Sequence, residues 1–164
     1  MTLQQSTLQQ LAEQVGERLL TGHFWLATAE SCTGGWISQC ITDIAGSSQW
    51  FDRGFVTYSN EAKQDMLGVS AETLSRYGAV SEQTVVEMVQ GALARSRADI
   101  AVAVSGIAGP TGGTPDKPIG LVWHAWARRG QQSQSQVEQY LGNRFEVRQQ
   151  TVATALQGIL RLLG

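Results

Sequence analysis

The segment Ile100-Ala-Val-Ala-Val104 constrains the fold of this chain more than any other feature. Five consecutive apolar residues, three of them β-branched, are typical of a strand that is buried on both faces, as a central parallel strand is. A sheet built around such a strand needs a helical layer on each side, because both of its faces must be covered. The run is also far shorter than the roughly 18 to 20 apolar residues that cross a bilayer.

Apolar periodicity and capping residues predict the other elements. We expect helices over residues 3–20, 36–44, 60–66, 82–97 and 147–163, a further helix after Ser70, and strands over residues 24–29, 54–58, 119–127 and 134–141. Ser70, Ser81 and Asn143 stand at helix starts, and Asn143 forms a capping box with Glu146. The last two strands are expected to form an antiparallel hairpin at the sheet edge. These elements predict one domain over residues 1–164, a three-layer α/β/α sandwich with a mixed sheet of about five strands.

Composition excludes several classes of protein. With 42% hydrophobic and 16% charged residues the chain is not intrinsically disordered, and a net charge of −2 gives no reason to expect nucleic-acid binding. Residues 1–16 lack the pattern of a signal peptide, so we expect a soluble, cytoplasmic protein without membrane contact. Cys32 and Cys40 lie in one predicted helix, which disfavours a disulfide, and no Cys or His spacing suits zinc. We therefore expect no metal and no cofactor.

Unusual residues concentrate in three loops that follow strands, at the edge where open α/β sheets bind ligands. The first is Glu30-Ser-Cys-Thr-Gly-Gly35, which leads directly from a strand into a helix. A Ser31 hydroxyl at a helix N-terminus would have backbone N–H groups nearby to stabilise the negative charge that develops in acyl transfer. In the alternative, Ser31 or Thr33 is only an N-cap. Cys32 is either a rival nucleophile or a small buried residue.

The second loop is Tyr58-Ser-Asn-Glu-Ala-Lys63. If Tyr58 ends a strand and Asn60 caps the next helix, Lys63 falls in the first helical turn, where the helix dipole lowers the pKa of its amino group. A lysine with a lowered pKa can act as a general base toward a serine such as Ser31, directly or through Tyr58. The alternative is a solvated surface lysine beside a half-buried tyrosine.

The third loop spans residues 105–118, begins Ser105-Gly106-Ile-Ala-Gly109, and contains all three prolines of the chain. Glycines let the backbone approach a ligand closely and direct its N–H groups at an anion such as a phosphate. A 14-residue connection is long for a compact domain, and such loops are usually functional. We predict that this loop binds a ligand, and that Arg144 either contacts its phosphate or is only solvated.

Four segments, taken together, resemble the C-terminal domain family of the competence/damage-inducible protein CinA. They are Thr28-Ala-Glu-Ser-Cys-Thr-Gly-Gly35, Gly54-Phe-Val-Thr-Tyr-Ser-Asn60 with Lys63, Gly78-Ala-Val-Ser81 and Ser105-Gly-Ile-Ala-Gly-Pro110. The resemblance extends over essentially the whole chain and is closest to the stand-alone members of the family. We expect no molybdopterin-binding-like domain of the kind that many relatives carry at the N-terminus.

The resemblance implies the activity of a nicotinamide-nucleotide amidase, which converts nicotinamide mononucleotide to nicotinic acid mononucleotide and ammonia. It also implies that Ser31, Tyr58 and Lys63 are catalytic. The predicted substrate contacts are Thr33, Gly34, Asn60, Ser105, Gly106, Gly109 and Arg144. The expected partner is a small-molecule nucleotide, and a homo-oligomer stays open. Two alternatives stay open as well, a nucleotide-sensing module without turnover and a regulatory partner of DNA-uptake or repair proteins.

Overall fold

The structure is a computed structural model that describes residues 5–164. Its elements are α1 (Gln5–Gly22), β1 (Leu26–Glu30), α2 (Trp36–Thr42), β2 (Phe51–Val56), α3 (Asn60–Leu67), α4 (Ala71–Tyr77), α5 (Glu82–Ala94), β3 (Ile100–Gly106), β4 (Leu121–Arg128), β5 (Gln134–Gln139) and α6 (Arg144–Leu163). Each predicted helix and strand is present with ends shifted by a few residues. Residues 3 and 4 of the first predicted helix lie outside the described part.

Within the described residues the five strands form a sheet in the order β2–β1–β3–β4–β5. β1 pairs in parallel with both β2 and β3, whereas β4 pairs antiparallel with β3 and with β5. The predictions of a mixed sheet, a central buried strand and a final hairpin with β5 at the edge are confirmed. The carboxyl ends of the three parallel strands therefore meet at one edge of the sheet.

The two faces of the sheet carry side chains of different size. Ile100, Val102 and Val104 of β3 pack in a cluster with α1, α2 and α6. Ala101 and Ala103 of the same strand pack in a second cluster with α3, α4 and α5. Strict alternation along a strand produces this division, because successive side chains point to opposite faces. The three-layer α/β/α sandwich predicted from the sequence is confirmed.

Short polar side chains start four of the helices. Ser70, Ser81 and Asn143 each accept a hydrogen bond from the backbone N–H three residues later, and the predicted capping box of α6 is present. The prediction that Asn60 caps α3 is wrong. Ser59 is the cap, with its hydroxyl accepting from a backbone N–H of the first turn, and Asn60 is the first helical residue. Serine and asparagine are both strong N-caps, so the sequence offered two adjacent candidates.

No helix in the part of the chain that the structure describes is long and apolar enough to span a membrane. The same residues contain no group of three or more His, Cys, Asp or Glu side chains that could hold a metal ion. Cys32 and Cys40 are both buried free thiols. They do not share a helix as predicted, because Cys32 lies in the turn before α2.

Candidate active site

The three loops predicted to carry the chemistry meet at the carboxyl edge of the parallel strands, around a cavity of about 170 Å³. The first two loops contribute Ser31, Cys32, Tyr58, Asn60 and Lys63 to its lining. The third loop contributes Ser105, Gly106 and Ala108, and the lining is completed by Ala79, Val80 and Arg144. This is the edge at which open α/β sheets bind their ligands.

A lysine and a serine are in contact inside this cavity. Lys63 Nζ lies 3.0 Å from Ser31 Oγ, and it also donates to the carbonyl oxygen of Thr57 at 2.9 Å. The lysine is only 1% exposed, so the alternative of a solvated surface residue is wrong. Burial lowers the pKa of Lys63 below its ordinary value of 10.5. No carboxylate within the described residues forms a salt bridge with it to offset that effect. The pair is a hydroxyl beside a weakened base.

The start of α3 places the lysine. Lys63 is the fourth residue of that helix, and its backbone N–H donates to the carbonyl oxygen of Ser59, closing the first helical turn. The predicted position of Lys63 in the first helical turn is confirmed, and the residue lies at the end of that turn. Because α3 begins only a few residues after β2 ends, the side chain reaches across to the turn that follows the neighbouring strand β1.

A buried carboxylate holds the turn that carries the serine. Glu30, the last residue of β1, is fully buried and accepts from the Thr33 hydroxyl at 2.7 Å and from the backbone N–H of Ile37 at 2.8 Å. Its second carboxylate oxygen accepts from the N–H and the hydroxyl of Ser38 at 3.0 and 2.8 Å. A carboxylate at this position suits the positive end of the helix dipole of α2. Glu30 therefore ties the strand, the turn and the helix together.

The alternative prediction, that Ser31 or Thr33 is only the N-cap of α2, is wrong. The N-cap of α2 is Gly35, which has a left-handed φ of 105° and forms no side-chain cap bond. Glycine adopts that conformation without the strain that other residues incur. The hydroxyl of Ser31 is therefore available to Lys63 instead of a backbone N–H of α2.

The thiol beside the serine is a poor rival nucleophile. Cys32 is 6% exposed, and burial raises its pKa to about 12 against a smaller opposing effect of the Arg148 charge. The nucleophilic form of cysteine is the thiolate, which such a pKa keeps scarce near neutral pH. The reading of Cys32 as a small buried residue fits the structure better.

Tyr58 and Arg144 form the rim of the cavity. Tyr58 is 62% exposed instead of half-buried, because β2 ends at Val56 and leaves this residue outside the sheet. Its hydroxyl accepts from Arg144 Nη2 at 3.2 Å, while Nη1 of the same arginine donates to the carbonyl oxygen of Gly109 at 2.9 Å. The Tyr58 hydroxyl thus faces Arg144, and Lys63 reaches Ser31 without it. The exposed Arg144 is held in place by two contacts.

The other predicted substrate contacts separate into two groups. Asn60, Ser105 and Gly106 line the cavity. Thr33 and Gly34 do not, since they line a neighbouring groove of about 390 Å³ on the α2 and α6 side of the turn. Both belong to the turn itself, and the Gly34 N–H donates to the carbonyl oxygen of Ser31 at 3.0 Å.

The third loop differs from its predicted bounds. β3 continues to Gly106 and β4 begins at Leu121, so the connection comprises residues 107–120. Gly109 does not line the cavity, but its carbonyl oxygen orients Arg144. Gly112 and Gly113, further along the same loop, are also absent from the cavity lining.

Sequence reasoning gave no role to four residues that shape the site. Glu30 stood inside a recognised segment, and so did Ala79 and Val80, which supply an apolar wall. Arg148 carried a weaker signal, its position four residues after Arg144 on the same face of α6. Its guanidinium donates to the carbonyl oxygens of Cys32 and Thr33 at 3.0 Å each.

Comparisons with known proteins agree with this fold. Residues 8–163 match the family model for the CinA C-terminal domain. The chain is 57% identical over 152 residues to the nicotinamide-nucleotide amidohydrolase PncC of Escherichia coli (strain K12), covering 93% of this chain and 92% of that protein. The protein of the same name from Pseudomonas putida is 51% identical over 152 residues, with 93% and 94% covered. The crystal structure of competence/damage inducible protein CihA from Agrobacterium tumefaciens matches with a TM-score of 0.96 at 48% identity, covering all of both chains.

Proposed function

The chain belongs to the CinA C-terminal domain family, and on that premise we propose that it hydrolyses nicotinamide mononucleotide to nicotinic acid mononucleotide and ammonia. The observation that carries the proposal is the 3.0 Å contact between Lys63 Nζ and Ser31 Oγ. A lysine with a lowered pKa can activate a serine hydroxyl without histidine. The substrate is inferred from the relatives at 57% and 51% identity, which are named nicotinamide-nucleotide amidohydrolases.

The first half of the reaction makes an ester. Neutral Lys63 Nζ accepts the proton of Ser31 Oγ as Oγ bonds to the amide carbon, and the carbonyl electron pair moves onto oxygen. The resulting lysine ammonium then donates its proton to the amide nitrogen. The C–N bond breaks, ammonia leaves, and the carbonyl re-forms as an ester of Ser31.

The second half consumes water. Lys63 accepts a proton from a water molecule as its oxygen bonds to the ester carbon, and the proton passes to Ser31 Oγ when the ester C–O bond breaks. The carboxylic acid product ionises at neutral pH, and ammonia takes up the released proton. One water is consumed for each ammonia formed, and both residues return to their starting protonation states.

The size and lining of the cavity support a particular placement of the substrate. Pockets that enclose a whole drug-sized ligand measure about 300 to 1,000 Å³. The cavity is about 170 Å³ and has Ala79, Val80 and Ala108 in its lining, which suits the pyridine carboxamide alone. The ribose phosphate then extends to the rim, where Arg144 supplies a planar guanidinium of the kind that pairs with phosphate.

The proposal is tested by ammonia release from purified protein with nicotinamide mononucleotide, nicotinamide riboside and free nicotinamide. We expect turnover with the mononucleotide and a lower kcat/KM without the phosphate. Binding of the mononucleotide without ammonia release would favour the nucleotide-sensing alternative.

We also propose that residues 1–164 act as one domain in the cytoplasm, without a metal or a cofactor.

A further inference from the structure

We propose that Arg148 is a positioning residue for the reaction, one that fixes the peptide plane between Cys32 and Thr33 so that the Thr33 N–H stabilises the oxyanion. The inference rests on the proposed function, because it assigns a role within acyl transfer at Ser31. Arg148 itself would touch neither the substrate nor the reacting atoms.

The contacts of Arg148 hold two successive carbonyl groups. Nε donates to the carbonyl oxygen of Cys32 and Nη2 to that of Thr33, each at 3.0 Å. The guanidinium also lies 5.4 Å from the centroid of the Trp36 ring. A guanidinium presents its N–H groups in a rigid fork, so two such bonds fix the orientation of the backbone they join.

The two hydrogen bonds from Arg148 also determine the direction of the Thr33 N–H, because of the geometry of the peptide group. The cis peptide bond found within residues 5–164 is Gly109–Pro110, so the bond between Cys32 and Thr33 is trans. In a trans peptide the C=O and the N–H point in opposite directions. With the Cys32 oxygen bonded to Arg148, the Thr33 N–H points away from Arg148. Arg148 lines the groove beside α2, whereas Ser31 lines the cavity on the other side of the turn.

The neighbouring N–H groups are differently disposed. The Gly34 N–H donates to the carbonyl oxygen of Ser31 at 3.0 Å, and the Ser31 N–H donates to that of Val104 at 3.2 Å. Neither is available to an oxyanion. Among the residues that the structure describes, the Thr33 N–H donates to no backbone acceptor. Acyl transfer requires such a donor close to the nucleophile, because the developing oxyanion must be met by groups already in place.

Thr33 is also held from its other side. Its hydroxyl donates to the buried carboxylate of Glu30 at 2.7 Å, while its carbonyl oxygen accepts from Arg148 at 3.0 Å. The Glu30 side chain therefore accepts from the hydroxyl of Thr33, and the Arg148 guanidinium donates to its carbonyl oxygen. The backbone N–H is the polar group of Thr33 for which the described residues supply no backbone acceptor.

The experiment compares Arg148→Ala and Arg148→Lys with Arg161→Ala, an arginine of the same helix that donates to Gln136 and stacks on Trp126, away from the site. Loss of one oxyanion donor costs about 10²- to 10³-fold in kcat, and a misdirected donor costs less, about 10- to 100-fold. We expect kcat for ammonia release to fall by about 10- to 100-fold in both Arg148 variants, with KM changed by less than about twofold. Lysine retains the charge but cannot hold both carbonyl groups. The Arg161 variant should match the wild type.

Added guanidinium separates positioning from a purely structural role. It should restore part of the kcat of Arg148→Ala and leave Arg161→Ala unaffected, whereas a variant that has lost its fold gains nothing from it. A wild-type kcat in Arg148→Lys would overturn the inference, because it would show that the positive charge is sufficient and that the two hydrogen bonds to the carbonyl groups are not needed. A loss confined to KM for the phosphorylated substrate would also overturn it, by assigning Arg148 to the phosphate. Absence of ammonia release by the wild type would instead contradict the proposed function.

Discussion

Lys63 Nζ and Ser31 Oγ lie 3.0 Å apart although 32 residues separate them in the chain. The serine follows β1 and the lysine follows β2, and these two strands are parallel neighbours in the sheet. Parallel neighbours place the loops after their carboxyl ends side by side. The pairing of strands in the sheet, and not the local sequence, therefore brings the lysine into contact with the serine. The same packing buries the lysine.

Replacing the serine should remove chemistry and spare binding. Ser31→Ala is expected to lower kcat by roughly 10³-fold or more while the dissociation constant for nicotinamide mononucleotide stays within about threefold, because the hydroxyl is required only for bond making. Ammonia release and titration calorimetry measure the two quantities. Cys32→Ala is the matched control and should stay active. An inactive Cys32→Ala beside an active Ser31→Ala would reverse the assignment of the nucleophile.

Arg144 should account for recognition of the phosphate. Charge-assisted hydrogen bonds contribute about 1.5 to 3 kcal/mol, so Arg144→Ala is expected to lower kcat/KM for nicotinamide mononucleotide by about 10- to 100-fold. Turnover of nicotinamide riboside, which has no phosphate, should change little and acts as the internal control. Equal efficiency of the wild type on both substrates would show that Arg144 does not read the phosphate.

Removal of metal ions should have no effect on turnover. The proposed steps use a lysine and a serine, and the spacing of Cys and His in the chain suits no zinc site. Activity after dialysis against a chelator is expected to equal that before it. Activity that is lost on chelation and regained with one divalent cation would contradict the mechanism.

A buried histidine should make the fold sensitive to acid. His124 on β4 is fully buried, with Nε2 at 3.3 Å from the Tyr140 hydroxyl oxygen and its ring stacked on Trp126. Burial lowers the pKa of His124 from 6.5 to about 4. Between these two values the unfolded chain binds a proton that the folded chain does not, so the free energy of unfolding falls as the pH falls. The difference corresponds to about 3 kcal/mol across this window.

His124→Gln should flatten that pH dependence, because glutamine takes up no proton. Urea unfolding at about pH 4.5 and pH 7.5 measures the free energy of unfolding on both sides of most of the window. His23→Asn is the control, since His23 is exposed and its left-handed φ of 57° suits asparagine. A His124→Gln protein that kept the full acid sensitivity of the wild type would show that another group is responsible.

The fold was largely predictable because its signals are local. The buried strand and the caps at Ser70, Ser81 and Asn143 each depend on residues a few positions apart. The cap of α3 was predicted one residue late because Ser59 and Asn60 are equally suitable by residue type. Only the backbone distinguishes them, and Ser59 is the residue with extended φ and ψ of −93° and 163°.

The site was predictable only in part, because its decisive contacts are tertiary. Ser31 and Lys63 were predicted as candidate nucleophile and base from the loops that follow two strands, and the family resemblance implied the same pair. The role of Arg148 depends on carbonyl groups 116 and 115 residues earlier in the chain, and its spacing of four residues from Arg144 is too weak a local signal to reveal that role. The exposure of Tyr58 was missed because the end of β2 was placed two residues too late.

The pH dependence of activity should reflect a lysine whose pKa is lowered by burial. A base must be unprotonated to act, so kcat/KM is expected to rise with pH along an acid limb whose apparent pKa lies below 10.5. That limb belongs to the coupled site around Lys63 and Ser31, not to one residue alone. An acid limb at or above the ordinary value would contradict the buried base.

The most direct test of the mechanism is kcat for ammonia release by Lys63→Arg, measured beside Lys63→Met. Arginine retains the charge but does not give up its proton at any working pH, and methionine fills the buried space without a titratable group. We predict that both variants lose roughly 10³-fold or more in kcat while remaining folded by circular dichroism and able to bind nicotinamide mononucleotide. Most of the wild-type kcat in Lys63→Arg would contradict the assignment of Lys63 as the base and reduce it to an electrostatic aid.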